Sequence, residues 1–156
     1  MSTQRIVKID LDERSVVRRN ADIEHERAVA IFDLLEENRF VPTAGHEGPF
    51  NLQIGLEEGR LVVEIRDTGS RQLDRFTVAL QPFRGIMRDY FLICESYYSA
   101  IRTQSPSKIE AIDIGRRSLH NEGSELLREQ LASKVDIDID TARRLFTLLC
   151  VLHIRG

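Results

Sequence analysis

The most polar constellation in this sequence is Arg116-Arg117-Ser118-Leu119-His120-Asn121-Glu122-Gly123-Ser124. On a helix, Arg116 stands one turn before His120 and Arg117 one turn before Asn121, so an anion there would meet a guanidinium beside an imidazole or amide donor. A break in the helix at 121–123 would free N–H groups from Ser124 onward as a second anion-binding element. Arg143 is the further arginine expected to join Arg116, His120 and Asn121 at a concave surface. The competing expectation is structural: a hydrogen-bonded helix break bordered by surface arginines, because ion-pair networks imitate sites.

His120 and Glu122 also suggest a general acid and base, since imidazole titrates near neutrality. Residues two apart do not face each other on a continuous helix, so this pairing requires the break, and no nucleophile stands beside it. Three Arg-Arg pairs, Arg18-Arg19, Arg116-Arg117 and Arg143-Arg144, would make a phosphate-binding surface if they converged. His25, His46 and His120 lie in three separated segments with no metal-ligand spacing, so no metal is expected. Arg27 falls within an apolar stripe and either snorkels outward or pairs with Glu95. Arg84, Arg88, Glu95 and Arg102 form one charged line. His153, Tyr90, Tyr97 and Tyr98 read as core, with Tyr98 at the edge of that line.

No phosphate-binding glycine loop, Gly-x-Ser-x-Gly, His-Glu-x-x-His or Cys-x-x-Cys motif is present, so neither a cofactor nor an identifiable catalytic residue is expected. The chain has 156 residues, with 25 acidic and 22 basic side chains and 42% hydrophobic residues. That balance fits one globular unit spanning 1–156 with its own core. The slight acidity argues against general nucleic-acid binding, which relies on clustered Lys and Arg. Cys94 and Cys150 are flanked by apolar residues and read as small buried hydrophobes of a reducing cytosol. The N-terminal ten residues hold no long apolar run, and the most apolar stretch, 145–154, is about half a membrane span. A cytoplasmic protein without leader or membrane anchor is the expectation.

The elements that must position these residues follow from periodicity. Residues 5–11 alternate, with Val7, Ile9 and Leu11 on one side, as in a half-buried strand. Residues 22–38 carry Ile23, Arg27, Ala28, Ile31, Leu34 and Leu35 on one helical stripe, with Asn20 or Asp22 as cap. Val41 to Pro49 holds two Pro and two Gly and reads as a loop, whose segment 43–48 is a connector or a lid. Three strands follow at 50–56, 61–65 and 76–80, an antiparallel meander. Residues 83–102 show a wide apolar arc, marking a central helix. A second helix opens at Ser105-Pro106-Ser107, with Ser107 and Glu110 as a capping box. Val135, Ile137 and Ile139 suggest a short edge strand, and Asp140 caps a last helix over 141–154, apolar nearly all round. The fold class is α+β: an antiparallel sheet of about four strands, the N-terminal strand plus the meander, packed on one face by about four helices, with the C-terminal half mostly helical. An all-round apolar last helix suggests a symmetric dimer.

The blocks EHERAVAIFDLLEEN (24–38), DYFLICESYY (89–98), GRRSLHNEGS (115–124) and DTARRLFTLLC (140–150) resemble uncharacterised protein family 0262, small bacterial proteins. The resemblance spans essentially the whole chain. It implies a bacterial cytosolic protein and assigns no activity, cofactor or site residue. Two functional expectations result. One is a non-enzymatic binding or regulatory module for a protein or a phosphate-bearing small molecule, with Arg116, Arg117, His120, Asn121, Glu122, Ser124 and Arg143 as binding candidates. The other is a small hydrolase or transferase acting on an anionic substrate.

Overall fold

The computed structural model describes residues 3–12 and 21–153. Asn20, Arg18-Arg19 and Ile154, named above as cap, arginine pair and helix end, lie outside them. The element order is β1 (Ile6–Leu11), α1 (Ala21–Glu36), β2 (Phe40–Pro42), β3 (Phe50–Glu57), β4 (Arg60–Arg66), β5 (Gln72–Ala79), α2 (Arg84–Thr103), α3 (Pro106–Leu131), β6 (Val135–Ile137) and α4 (Ile139–His153). Four helices and a four-stranded sheet make an α+β fold whose C-terminal half is mostly helical.

The main sheet has the order β1-β3-β4-β5. β3, β4 and β5 are the antiparallel meander that the alternation predicts. β1 joins β3 in parallel, so the sheet is mixed; a parallel neighbour needs a long crossover, and the intervening segment contains α1. The register of β1 slips between Ile6 and Lys8, which changes the phase of its alternation. Ile6 and Ile9 therefore face the core, while Val7, expected inside, is exposed. β2 and β6 form a separate two-stranded antiparallel sheet. The expected loop thus begins only at Thr43, Pro42 being tolerated at the end of this short strand. Segment 43–48 is a pinned connector: the Gln4 side chain donates to the His46 carbonyl (3.0 Å) and accepts from the Gly48 N–H (2.6 Å).

One face of the main sheet is apolar. Leu52, Ile54, Leu61, Val63 and Phe76 pack there against Leu127 and Leu131 of α3 and Leu145 and Leu149 of α4. The other carries polar pairs, Arg66 with Glu64 (2.7 Å) and Arg75 with Glu57 (2.9 Å). The central helix is α4, not α2. Nine of its residues are buried, including Leu145, Phe146 and every residue from Leu148 to Leu152, against three in α2. The wide apolar arc of α2 is only partly used, and Ile101 at its far end is exposed. Because the chain itself covers α4, the reason to expect a symmetric dimer disappears. Asp138, rather than Asp140, caps α4, its carboxylate accepting from the Thr141 N–H (2.9 Å). Ser107 lies inside α3, and its predicted capping box with Glu110 is replaced by a start at Ser105 and Pro106.

The predicted break in α3 does not occur, for the helix is continuous through Asn121, Glu122 and Gly123. Gly123 instead serves packing. A Cβ at this position would overlap the Phe146 ring, so the missing side chain sets how closely α3 approaches α4. At Gly115 a Cβ would meet only the flexible end of Ile93, at 2.7 Å, so the approach to α2 there is close but adjustable. Gly123→Ala gains ~1 kcal/mol of helix propensity but inserts a methyl into filled space at a cost of ~1–3 kcal/mol. Net loss of roughly 1 kcal/mol in urea unfolding is expected, with partial recovery when Phe146→Leu is added; greater stability in the single variant would refute the packing role.

Candidate functional site

The site is built on the one side of α4 that is not buried. Helical spacing puts Asp140, Arg143, Arg144 and Thr147 on that side, in an otherwise apolar helix. α1 contributes Glu26, Val29, Ala30 and Asp33, and α3 contributes His120; with Arg143, Arg144 and Thr147 these enclose a groove of about 140 Å³. One turn further along α4, Cys150 and Val151 continue past Thr147 into a second space of about 70 Å³. Its other lining comes from Asp22, Ile23 and Glu26 of α1 and from Tyr90, Phe91, Cys94 and Tyr98 of α2. Glu26 and Thr147 line both spaces.

His120 is set in a ring cluster, with Tyr90 and Phe146 centroids 5.4 and 5.3 Å away. Its Nε2 lies 2.7 Å from the Thr147 hydroxyl, which in turn donates to the Arg143 carbonyl (3.2 Å). The direction of the hydrogen bond between His120 and Thr147 follows the imidazole tautomer. Ser124, wholly buried, donates to the His120 carbonyl (2.6 Å). Its backbone N–H belongs to the continuous helix and offers no anion site. Burial first, and then the positive charges of Arg116, Arg143 and Arg144, pull the His120 pKa down to about 4.

The remaining candidates divide into two groups. Asp113-x-x-Arg116-Arg117 and Asp140-x-x-Arg143-Arg144 repeat one pattern, an aspartate bonded to arginines three and four residues later. In the first, Asp113 accepts from Arg116 (2.7 Å) and Arg117 (3.1 Å), and the Arg116 guanidinium lies 4.6 Å from the Tyr97 ring centre. Burial opposes the charge of Arg116, but the bonds to Asp113 outweigh it and its pKa rises. Arg116 is thus absorbed in the α2–α3 contact, and neither it nor Arg117 lines the groove. In the second, Asp140 holds Arg143 (3.0 Å) and lies 3.8 Å from Arg144, while Arg143 also donates to the Asn121 side chain (3.0 Å). Of the seven predicted residues, His120 and Arg143 line the groove and Asn121 supports Arg143 from its edge.

Glu122 is exposed on the continuous α3, two residues from His120, and so faces away from it. The acid–base pair that a hydrolase or transferase would need there is not assembled. Glu95 is exposed, and α1 meets α2 through Tyr98, whose hydroxyl donates to Glu26 (2.6 Å). Among the described residues, no three His, Cys, Asp or Glu side chains gather as a metal would require, and no helix is long and apolar enough to cross a membrane. Glu26, Asp33, Thr147 and the cavity-lining Tyr90, Cys94 and Cys150 escaped sequence reasoning. The available signal was the break in α4's apolar pattern at 143, 144 and 147, which marks the open side of a buried helix.

The lowered pKa of His120 has a pH consequence. Its imidazole is neutral in the folded chain and protonates near 6.5 when unfolded, so its contribution is complete above about pH 6.5 and is lost as pH falls toward about 4. Unfolding free energy should decline by up to about 1.4 kcal/mol per pH unit across that window. His120→Gln should flatten the slope, and an NMR titration of His120 with a midpoint above 6 would contradict the assignment.

A family model described as uncharacterised protein family UPF0262 matches residues 3–155. The UPF0262 protein of Paramagnetospirillum magneticum is 58% identical over 153 residues, covering 98% of both chains. That of Rhodospirillum rubrum is 58% identical over 154 residues, covering 99% of this chain and 95% of its own. The relative in Phenylobacterium zucineum is 54% identical over 152 residues, covering 97% and 94% respectively. No solved structure matches. With full-length relatives at this identity and a family match over nearly every residue, the chain belongs to UPF0262, an uncharacterised family of bacterial proteins.

Proposed function

We propose that this protein is a non-enzymatic binding module whose ligand is a small phosphate-bearing molecule held on the open side of α4, between α1 and α3. The observation that carries this reading is the convergence of Arg143, Arg144, His120 and Thr147 in one groove. Asp140 is the acidic partner of both arginines, so two guanidiniums share one carboxylate and positive charge is in excess on the α4 wall of the groove. Neutral His120 adds polarity without a competing negative charge, and Thr147 adds a hydroxyl.

The facing wall narrows the class of ligand. Glu26 and Asp33 stand on α1 across from the arginines, which penalises polyanions and favours a single phosphate group on an otherwise uncharged or cationic body. Nucleic acid is disfavoured for the same reason. Both cysteines are free thiols, as suits a cytoplasmic setting.

A thermal-shift series with inorganic phosphate, nucleoside monophosphates and sugar phosphates tests the reading, because a ligand of the folded state alone raises its apparent stability. At least one phosphate monoester should stabilise the protein in a dose-dependent way. Replacing Arg143 and Arg144 together by Ala should weaken it ~10–100-fold, as expected for lost hydrogen bonds to a charged group. Arg117→Ala, outside the groove, should leave it unchanged. No stabilisation by any phosphate, or equal losses in the two variants, would remove the proposal.

A further inference from the structure

The space beneath α2 differs in character from the arginine end. At about 70 Å³ it is several times larger than the ~10–15 Å³ needed to hold one water. Tyr90, Phe91, Tyr98, Cys94, Cys150 and Val151 present it with rings, thiols and aliphatic carbon, so enclosed water would find few hydrogen-bond partners. Carboxylates of Asp22 and Glu26 lie on its α1 side.

These carboxylates are not equivalent. Asp22 has a cation nearby, Arg102 at 3.8 Å. Glu26, among the described residues, has only the neutral Tyr98 hydroxyl as a partner. Its side chain lines the small cavity walled by aromatic side chains. The field is felt throughout that wall: Glu26 contributes to raising the pKa of Tyr90, Cys94, Tyr98 and Cys150, in each case after burial itself. Cys94 is pushed up to about 11, which leaves the thiols protonated at neutral pH as uncharged lining rather than nucleophiles. Arg116, whose charge acts on Cys94, is paired with Asp113.

We propose that this cavity is a binding site for a small organic ammonium group, seated among Tyr90, Phe91 and Tyr98 with its charge facing Glu26. Aromatic rings attract a cation through their quadrupoles, and alkylated ammonium ions suit such sites because they combine positive charge with an apolar, weakly hydrated surface. Inorganic cations fit poorly, since most of the surface the wall presents is carbon and cannot replace their water. A neutral apolar fragment would match the shape and leave Glu26 without a counter-charge. The site adjoins the arginine groove and shares Glu26 and Thr147 with it but uses neither arginine, so the proposal does not require the phosphate reading to hold.

The test compares choline with its neutral carbon isostere, 3,3-dimethylbutan-1-ol, by isothermal titration calorimetry on the full chain. Choline should bind at least tenfold more tightly than the isostere. Glu26→Gln should erase that advantage without weakening the isostere, and Tyr98→Phe, which keeps the carboxylate, should retain it. Nuclear Overhauser contacts from the choline methyl protons to the rings of Tyr90, Phe91 and Tyr98 should locate the ligand in unmodified protein, whatever the fate of the variants. Equal binding of the two probes would show an apolar cavity only and overturn the proposal. So would an advantage that survives in Glu26→Gln, or contacts elsewhere on the protein.

Discussion

The close approach of α3 to α4 at Gly123 and Phe146 governs the arrangement of the helices. Phe146 is fully buried and occupies the space that any side chain at residue 123 would need. With α3 that near, His120 falls beside Phe146 and Thr147, and Tyr90 of α2 completes the ring cluster, its centroid 6.0 Å from that of Phe146. Sheet residues on one side and α1 and α3 at the flanks then occupy every other face of α4. Its charged side chains Asp140, Arg143 and Arg144 therefore stand on the remaining stripe, while the buried Thr141 hydroxyl accepts from the Arg39 N–H (3.0 Å). Position and polarity of the candidate groove thus follow from the packing of one helix.

The two Asp-x-x-Arg-Arg repeats show how identical local chemistry takes different roles from its surroundings. Each aspartate sits one turn ahead of two arginines, as i,i+3 and i,i+4 pairing favours. In α3 the first arginine turns toward α2 and rests against Tyr97, so its charge serves the helix contact. In α4 both arginines stand on the open stripe, where they line a concavity. Neutral His120 is the condition for this placement: an imidazolium here would repel Arg143 and Arg144 and would pay desolvation within the ring cluster.

Much of this fold is written in local periodicity. The meander strands and all four helices follow directly from alternation and from 3.6-residue stripes. Period alone could not say how β1 joins the sheet, because a strand with one buried face reads the same in parallel and antiparallel neighbours. Nor could it rank two apolar helices: α2 looked central from its wide arc, yet its far end extends past the partners that would cover Ile101. Asn121-Glu122-Gly123 resembled a break because glycine weakens helices locally. The Phe146 ring that gives Gly123 its purpose lies 23 positions away, where no window of neighbours would find it. Half of the candidate site was hidden for the same reason. Arg143 and His120 stood out as polar residues within apolar helices, whereas Glu26 and Asp33 look like ordinary surface carboxylates until α1 is laid against α4.

The two spaces along α4 are chemically complementary. Thr147 and Glu26 belong to both, so the two spaces adjoin along the helix. Glu26 stands between them, its carboxylate accepting from the Tyr98 hydroxyl. An anion confined to the groove would feel that carboxylate as a repulsion, and a cation confined to the cavity would feel Arg143 and Arg144 only across the length of Thr147. A zwitterion with its charges at opposite ends would turn both effects to attraction. The polarity along α4 thus runs from two arginines near its N-terminal turns to a carboxylate and aromatic rings beneath α2.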